Sequence, residues 1–126
     1  MGRITITALV ANNQEVLQAR ISSGDPEGFR TISVAGVIDT GSARLVLPER
    51  GVAPLQADQR TAVRKMVSNV WLRLEGREGV FSAIIEPDRE TALVGAIVLE
   101  ELDMVVDCTR QTVHPRDPHG IVSEVE

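Results

Sequence analysis

Aromatic residues are scarce in this chain, which has one Trp, two Phe and no Tyr among its 126 residues. A hydrophobic core must therefore be built mainly from Val, Ile, Leu and Ala, and the β-branched share of these residues favours strands. The hydrophobic fraction of 43% is sufficient for such a core, and the length is that of one domain.

Cysteine is also scarce, and its scarcity limits the kinds of site that the chain can carry. The single cysteine, Cys108, cannot form an intrachain disulfide, which fits a reducing compartment. Together with His114 and His119 it would supply only three metal ligands, at a spacing that matches no zinc template well. We therefore expect no metal site, and instead a buried thiol and two exposed histidines.

Long apolar runs and basic clusters are missing as well. No window approaches the roughly eighteen apolar residues that cross a membrane, and the N-terminus lacks the apolar stretch of a signal peptide. The net charge is -5, and acidic and basic residues are interspersed, which gives little support for binding to nucleic acid. These absences predict a cytoplasmic protein that acts on neither membranes nor nucleic acids.

The hydrophobic pattern predicts many short strands separated by turns. Residues 3–10 alternate between polar and apolar side chains, and residues 29–38 form a long apolar run that ends at Asp39. Further strands are predicted at residues 15–21, 44–48, 63–75, 80–86 and 104–107, with a hairpin loop at 76–79.

One segment has a different pattern, because Ala96 to Leu102 show helical spacing and consist of good helix formers. Many strands, frequent turns and one short helix predict an all-β closed sheet. We expect a single domain over residues 1–126, with a core at about 30–115 and a tail at 116–126 that is mobile or forms an edge element.

The stretch VIDTGSARLVLPE, residues 37–49, carries a carboxylate at the end of an apolar strand and then turns sharply. Gly41 and the small Thr40 and Ser42 permit a tight turn in which backbone N–H groups approach the Asp39 carboxylate. Such a turn suits the activation of water between two carboxylates that share one proton. The alternative is an ordinary Asp-Gly-type turn in an unrelated β-barrel.

VIDTGS resembles the active-site loop of aspartic proteases, and LVGAIVLEELDMVVD, residues 93–107, is similar to the second signature of the retropepsin-like family of clan AA. LVLPE, which follows the acid, resembles the small stand-alone bacterial members. The resemblance implies a closed acid-protease barrel in which this chain is one retropepsin-like protomer. It also implies an aspartic endopeptidase (a hydrolase) with Asp39, Thr40 and Gly41 as catalytic residues.

The mechanism needs two carboxylates, but the chain has only one Asp-Thr-Gly sequence. The resemblance therefore implies a homodimer, in which the second Asp39 comes from another copy across a two-fold axis. A peptide or protein substrate would lie extended between the subunits, and neither a metal nor an organic cofactor is implied. Whether residues 1–30 are a pro-segment or part of the barrel stays open.

The resemblance further implies which residues contact substrate. They follow the catalytic loop, form the tip of a flap between the two signatures, or belong to the second signature: Ser42, Ala43, Ala57, Asp58, Gln59, Arg60, Val94 and Gly95. Val37, Leu47 and Ile84 are further candidates for the walls of the cleft. The Ser42 hydroxyl can donate to Asp39 and favour its ionised form, so we expect activity on the acidic side of neutral.

Two departures from the family pattern keep a second interpretation open. The predicted flap lies in a segment without glycine, from Val52 to Glu75, although family flaps are usually rich in glycine. Ala43 and Ala96 stand where retroviral members carry an acid and an Arg that pair with each other. The alternative function is a catalytically weak or inactive retropepsin-fold module for peptide binding or dimerisation.

Overall fold

The computed structural model of the chain describes residues 3–22, 24–55 and 65–119. Six strands close into a barrel in the order β1-β2-β6-β3-β5-β4, and the other two form a separate hairpin, β7-β8. The strands are β1 Thr5–Asn12, β2 Ile32–Ile38, β3 Leu45–Pro48, β4 Lys65–Leu74, β5 Arg77–Glu86, β6 Ala92–Val94, β7 Met104–Asp107 and β8 Thr112–Pro115. The all-β closed sheet predicted from the sequence is therefore confirmed.

The described residues contain three short α-helices, α1 Asn13–Ile21, α2 Glu49–Val52 and α3 Ala96–Glu101, and a single 3₁₀ turn at Ala53–Leu55. Helix α3 confirms the helix predicted from Ala96 to Leu102, whereas no helix was predicted at α2. Within the described ranges, no helix is long and apolar enough to cross a membrane.

Strand β1 is an integral part of the barrel, which places the N-terminal segment that the sequence left open. It pairs antiparallel with β2, where Thr5 lies opposite Val37, and antiparallel with β4, where Ala11 lies opposite Trp71. The parallel pairing of β2 with β6, where Ile38 lies opposite Val94, brings the two signatures of the sequence to adjacent strands. Closure of the barrel therefore requires residues 5–12.

The interior of the barrel is filled by aliphatic side chains, as the scarcity of aromatics predicted. Its largest fully buried members are leucines and valines: Leu45, Leu47, Leu72, Leu74, Leu102, Val10, Val94 and Val98. Burial of one such side chain stabilises the fold by about 1.5–3 kcal/mol relative to exposure. Trp71 is buried elsewhere, in a smaller cluster with Ala11 and Val16 between the barrel wall and α1.

Residues 15–21, which we predicted to be a strand, belong to helix α1, and that prediction was wrong. The Asn12 side chain caps the helix by accepting the Gln14 N–H at 2.9 Å. Glu15 lies in the first turn and Arg20 in the last, where the helix dipole favours each charge. The alternation of Val16 with later apolar residues was misinterpreted as a strand period, because a short helix offers few turns to distinguish the two.

The predicted hairpin between the two longest strands, β4 and β5, is present, but its loop is shorter than residues 76–79. Leu74 lies opposite Arg77, so the loop consists of Glu75 and Gly76 alone. Both have positive φ, 50° and 79°, which is the conformation of a type I′ turn. Strand β5 therefore begins at Arg77, two residues before the predicted loop ends.

The β7-β8 hairpin is attached to the end of α3 by a buried guanidinium. Arg77 is 8% exposed and donates to the carbonyls of Leu102 at 2.9 Å and Asp103 at 3.1 Å, and also to that of Asp117. Arg116 donates from Nε to the Asp103 carboxylate at 2.8 Å. The predicted tail is thus anchored at its beginning, and the part of that prediction from residue 120 onward lies outside the described residues.

The three residues considered as metal ligands lie at or near the same hairpin. His114 and His119 are exposed, but Cys108 is exposed as well, and our expectation of a buried thiol was wrong. The reason is its position in the turn between β7 and β8, which faces solvent. The described residues contain no group of three His, Cys, Asp or Glu side chains that could hold a metal ion.

Candidate active site

Asp39 follows directly after β2, and backbone hydrogen bonds hold its main chain in the barrel wall. The preceding Ile38 N–H donates to the Ile4 carbonyl at 2.9 Å, and the Asp39 N–H donates to the Val94 carbonyl at 3.0 Å. Neighbours on both sides thus fix the position from which the carboxylate projects. The side chain itself is half-buried.

The next three residues form a turn that brings a backbone donor to the carboxylate. The Gly41 N–H donates to Asp39 Oδ1 at 3.0 Å, and the Ser42 N–H donates to the Asp39 carbonyl at 3.1 Å. Thr40 and Gly41 are exposed. A backbone donor thus reaches the carboxylate, as the sequence predicted, whereas a bond from the Ser42 hydroxyl stays a prediction.

The turn then docks onto the N-terminus of α3. The Ala96 N–H donates to the Ser42 carbonyl at 2.7 Å, and the Ile97 N–H donates to the Ala43 carbonyl at 3.1 Å. The N-cap residue Gly95 makes no side-chain cap, so these loop carbonyls satisfy N–H groups that a helix leaves without an intrahelical partner. The helix and the loop therefore complete each other's hydrogen bonding.

Gly95 is required for this docking because there is no room for a side chain. A Cβ at this position would lie 2.5 Å from the carbonyl oxygens of Ser42 and Arg44, and 2.8 Å from the Arg44 nitrogen. These are main-chain atoms that cannot move away alone. The glycine of the second signature thus has a steric reason, and it links the two sequence motifs in space.

The predicted wall and floor residues divide into two groups. Val94 and Leu47 are 0% and 1% exposed and belong to the barrel core, so their side chains are not available to a bound peptide. Val94 instead contributes its carbonyl to Asp39. Val37 and Ile84 are half-buried.

The structure brings Asp39, Thr40, Gly41, Ser42 and Ala43 together with Val94 and Gly95, and their roles in catalysis and substrate binding stay predictions. The predicted flap tip, Ala57, Asp58, Gln59 and Arg60, lies outside the described residues.

Sequence reasoning missed two neighbours of the loop. Ile97 anchors Ala43 through its N–H while its side chain stays 53% exposed. Arg44 is exposed beside Met66, with 4.0 Å from Nη1 to Sδ. Its signal was the presence of a cation three residues beyond the motif glycine.

Comparison with known proteins finds similarity in structure alone. No family model matches the chain, and no curated protein matches it. Among solved structures, the retroviral protease-like domain of Ddi1 from Leishmania major superposes with a TM-score of 0.61 at 13% sequence identity. The match covers 92% of this chain and 86% of that one. The chain therefore has a retropepsin-like fold, which confirms the acid-protease barrel predicted from its sequence.

Proposed function

We propose that this protein is an aspartic endopeptidase of the small stand-alone, bacterial clan AA type, which hydrolyses peptide bonds as a homodimer. One observation carries the proposal. Within a retropepsin-like fold, an Asp-Thr-Gly turn presents a half-buried carboxylate at the end of a barrel strand, hydrogen-bonded to the Gly41 N–H.

The chemistry uses two copies of Asp39 that share one proton. The ionised carboxylate takes a proton from a water molecule while the water oxygen attacks the scissile carbonyl carbon. The protonated partner donates to the carbonyl oxygen, which gives a tetrahedral diol. When the C–N bond breaks, a proton passes to the leaving nitrogen, and the products are a carboxylic acid and an amine.

A two-fold dimer is proposed because one chain supplies one such carboxylate. Thr40 is exposed at the tip of the turn, where a second copy can be reached, and Ile97 offers an exposed apolar side chain beside the same loop. In such a dimer, substrate backbone would pair with strands along the cleft, as in β-augmentation. The exposed free thiol of Cys108 supports a reducing location such as the cytoplasm.

The second candidate is a retropepsin-fold module that binds peptides, or dimerises, with little or no proteolysis. The observation in its favour is the absence of charged side chains at Ala43 and Ala96, which the structure places on either side of the loop-helix junction. Without an ion pair there, the support of a dimer next to the carboxylates depends on other contacts, such as those that Thr40 and Ile97 can offer.

A comparison of the wild type with Asp39→Asn tests the proposal. Both proteins are incubated with a diverse peptide mixture from about pH 3 to pH 8, a range that includes the pH values at which paired carboxylates titrate. The products are identified by mass spectrometry, and the mass of each protein in solution is measured under the same conditions. The substitution keeps the size of the side chain and removes its ability to accept a proton.

We expect site-specific cleavage by a dimeric wild type, strongest on the acidic side of neutral, and none by Asp39→Asn. Equal behaviour of the two proteins as folded dimers would reject the protease and favour the binding module. Cleavage that persists in Asp39→Asn would reject Asp39 as the catalytic group.

A further inference from the structure

Arg44, the arginine beside the candidate active site, forms no ion pair with a described carboxylate, and the same holds for Arg3, Arg50 and Arg89. Six arginines in the described ranges form ion pairs with Asp or Glu: Arg20, Arg30, Arg73, Arg77, Arg110 and Arg116. Arg44 has no carboxylate within ion-pair distance in that part of the chain, and its recorded contact is the Met66 sulfur. A guanidinium that meets a thioether keeps its capacity to bind an anion.

The base of this side chain is fixed relative to the catalytic turn. The Arg44 nitrogen and carbonyl oxygen pack directly against Gly95, and the next residue, Leu45, is fully buried at the start of β3. The guanidinium end is exposed and extends to Met66, which lies near the start of β4. Arg44 therefore presents a positive charge from a rigid position five residues after Asp39.

We propose that Arg44 is a specificity-determining residue that selects peptides with an Asp or Glu side chain close to the scissile bond. This inference rests on the proposed function, since it concerns the same cleft. Guanidinium groups bind carboxylates in a planar, bidentate manner, and that geometry distinguishes Glu from its neutral isostere Gln. In a two-fold dimer the second Arg44 would act on the other side of the same peptide.

The size of the expected effect follows from the exposure of the side chain. Exposed ion pairs are weak and are screened by salt, so the preference for a Glu peptide over the matched Gln peptide should be roughly two- to fivefold. It should decrease as salt is added. A larger preference would require that the substrate bury the pair.

The test uses a randomised peptide library in which one position is fixed in turn as Glu, Gln or Lys. Cleavage is measured for three proteins that differ only at position 44, which is Arg44 or carries Arg44→Gln or Arg44→Glu. Peptide binding is measured for the same three in the Asp39→Asn background. Arg50→Gln is the matched control, because Arg50 is an exposed arginine on α2 and loses the same charge. Dimer dissociation of each variant is followed by analytical ultracentrifugation.

We expect Arg44→Gln to abolish the Glu-over-Gln preference, Arg44→Glu to reverse it toward Lys, and Arg50→Gln to retain it. An unchanged preference in Arg44→Gln would overturn the inference while cleavage by the wild type upholds the protease. Conversely, an Arg44-dependent preference in binding without cleavage would reject the protease and uphold the selectivity. Dimer dissociation caused by Arg44→Gln would assign the guanidinium to a subunit contact and overturn the inference. Absence of both peptide binding and cleavage would overturn both proposals.

Discussion

The Asp39 turn and the outer face of the barrel around Trp71 are held together by different kinds of interaction. Around Asp39, the contacts are hydrogen bonds donated by backbone N–H groups, one of them to the Asp39 carboxylate, and one close approach to a glycine. They involve residues 4, 38–44 and 94–97. Around Trp71, the contacts are made by charged side chains from segments that are distant in sequence. The two regions therefore respond to mutation and to pH in different ways.

The outer region is an alternating network of arginines and glutamates over an aromatic pair. Glu78 accepts hydrogen bonds from Arg20, from Arg73 at 2.8 Å and from Trp71 Nε1 at 3.3 Å. Glu27 accepts from the same two arginines at 2.9 and 3.0 Å. The Arg73 guanidinium also lies 4.9 Å from the centroid of the Trp71 ring. The network fixes α1 and the following loop onto β4 and β5.

The difference shows that the site depends on geometry and the outer face on charge. Apart from the Asp39 carboxylate that accepts from the Gly41 N–H, the groups that hold the Asp39 turn are backbone amides, which do not titrate. The outer network depends on ionised carboxylates and should weaken in acid. Three substitutions separate these behaviours.

Gly95→Ala should have the largest effect. The new Cβ would meet main-chain atoms of Ser42 and Arg44 at 2.5 Å, and the loop or the helix would have to shift. We expect a loss of about 3 kcal/mol or more in the free energy of unfolding, as in severe overpacking. Urea unfolding measures this loss of stability. Gly76→Ala is the control, because its Cβ would meet open space and the substitution would cost only a backbone penalty of about 1–2 kcal/mol. Equal losses in the two variants would contradict the steric role.

Arg77→Met should have an intermediate effect. It removes the buried donor to the carbonyls of Leu102 and Asp103 and leaves them without that partner, at a cost of about 1–3 kcal/mol. Amide hydrogen exchange should show faster exchange in β7 and β8 than in the barrel strands. Arg110→Met, at a position whose side chain is 83% exposed, is the control and should change neither the free energy of unfolding nor amide exchange in β7 and β8. Equal exchange in Arg77→Met and Arg110→Met would refute the anchoring role.

Glu78→Gln should have the smallest effect, and that effect should depend on pH. The hydrogen bond from Arg20, followed by those from Arg73 and Trp71, lowers the pKa of Glu78 from 4.5 to about 2. Because the folded-state pKa is lowered, the stabilisation is present above about pH 4.5 and is lost as the pH falls toward 2. Because the network is partly exposed, we expect Glu78→Gln to lower the free energy of unfolding by about 1 kcal/mol at neutral pH.

The measurement for Glu78→Gln is urea unfolding at several pH values between neutrality and the acid limit. The difference from the wild type should shrink as the pH falls. Glu75→Gln, at an exposed turn position, is the control and should match the wild type throughout. A difference that stays constant with pH would mean that packing, rather than charge, is what Glu78 contributes.

The same contrast explains what could be predicted from the sequence. The Asp39 turn consists of consecutive residues that local pattern predicts, whereas the place of Gly95 in the same site was implied only by the resemblance of two short motifs to one family. Helix α1 was missed although Asn12 and Glu15 have the spacing of a capping box, a signal that outweighs a weak apolar alternation. The ion pair of Arg20 with Glu78 joins residues 58 positions apart, and no local pattern indicates such a partner.

The central claim is that two copies of Asp39 act together, and a subunit-mixing experiment tests it most directly. A fixed amount of wild type is mixed with increasing amounts of Asp39→Asn, allowed to exchange subunits, and assayed on a peptide that the wild type cleaves. Mixed dimers would carry one carboxylate, so activity should fall toward zero as Asp39→Asn comes into large excess, and an equal excess of an unrelated folded protein should have no such effect. Activity that is unaffected by the excess of Asp39→Asn, in a mixture shown to contain mixed dimers, would contradict the shared-carboxylate site.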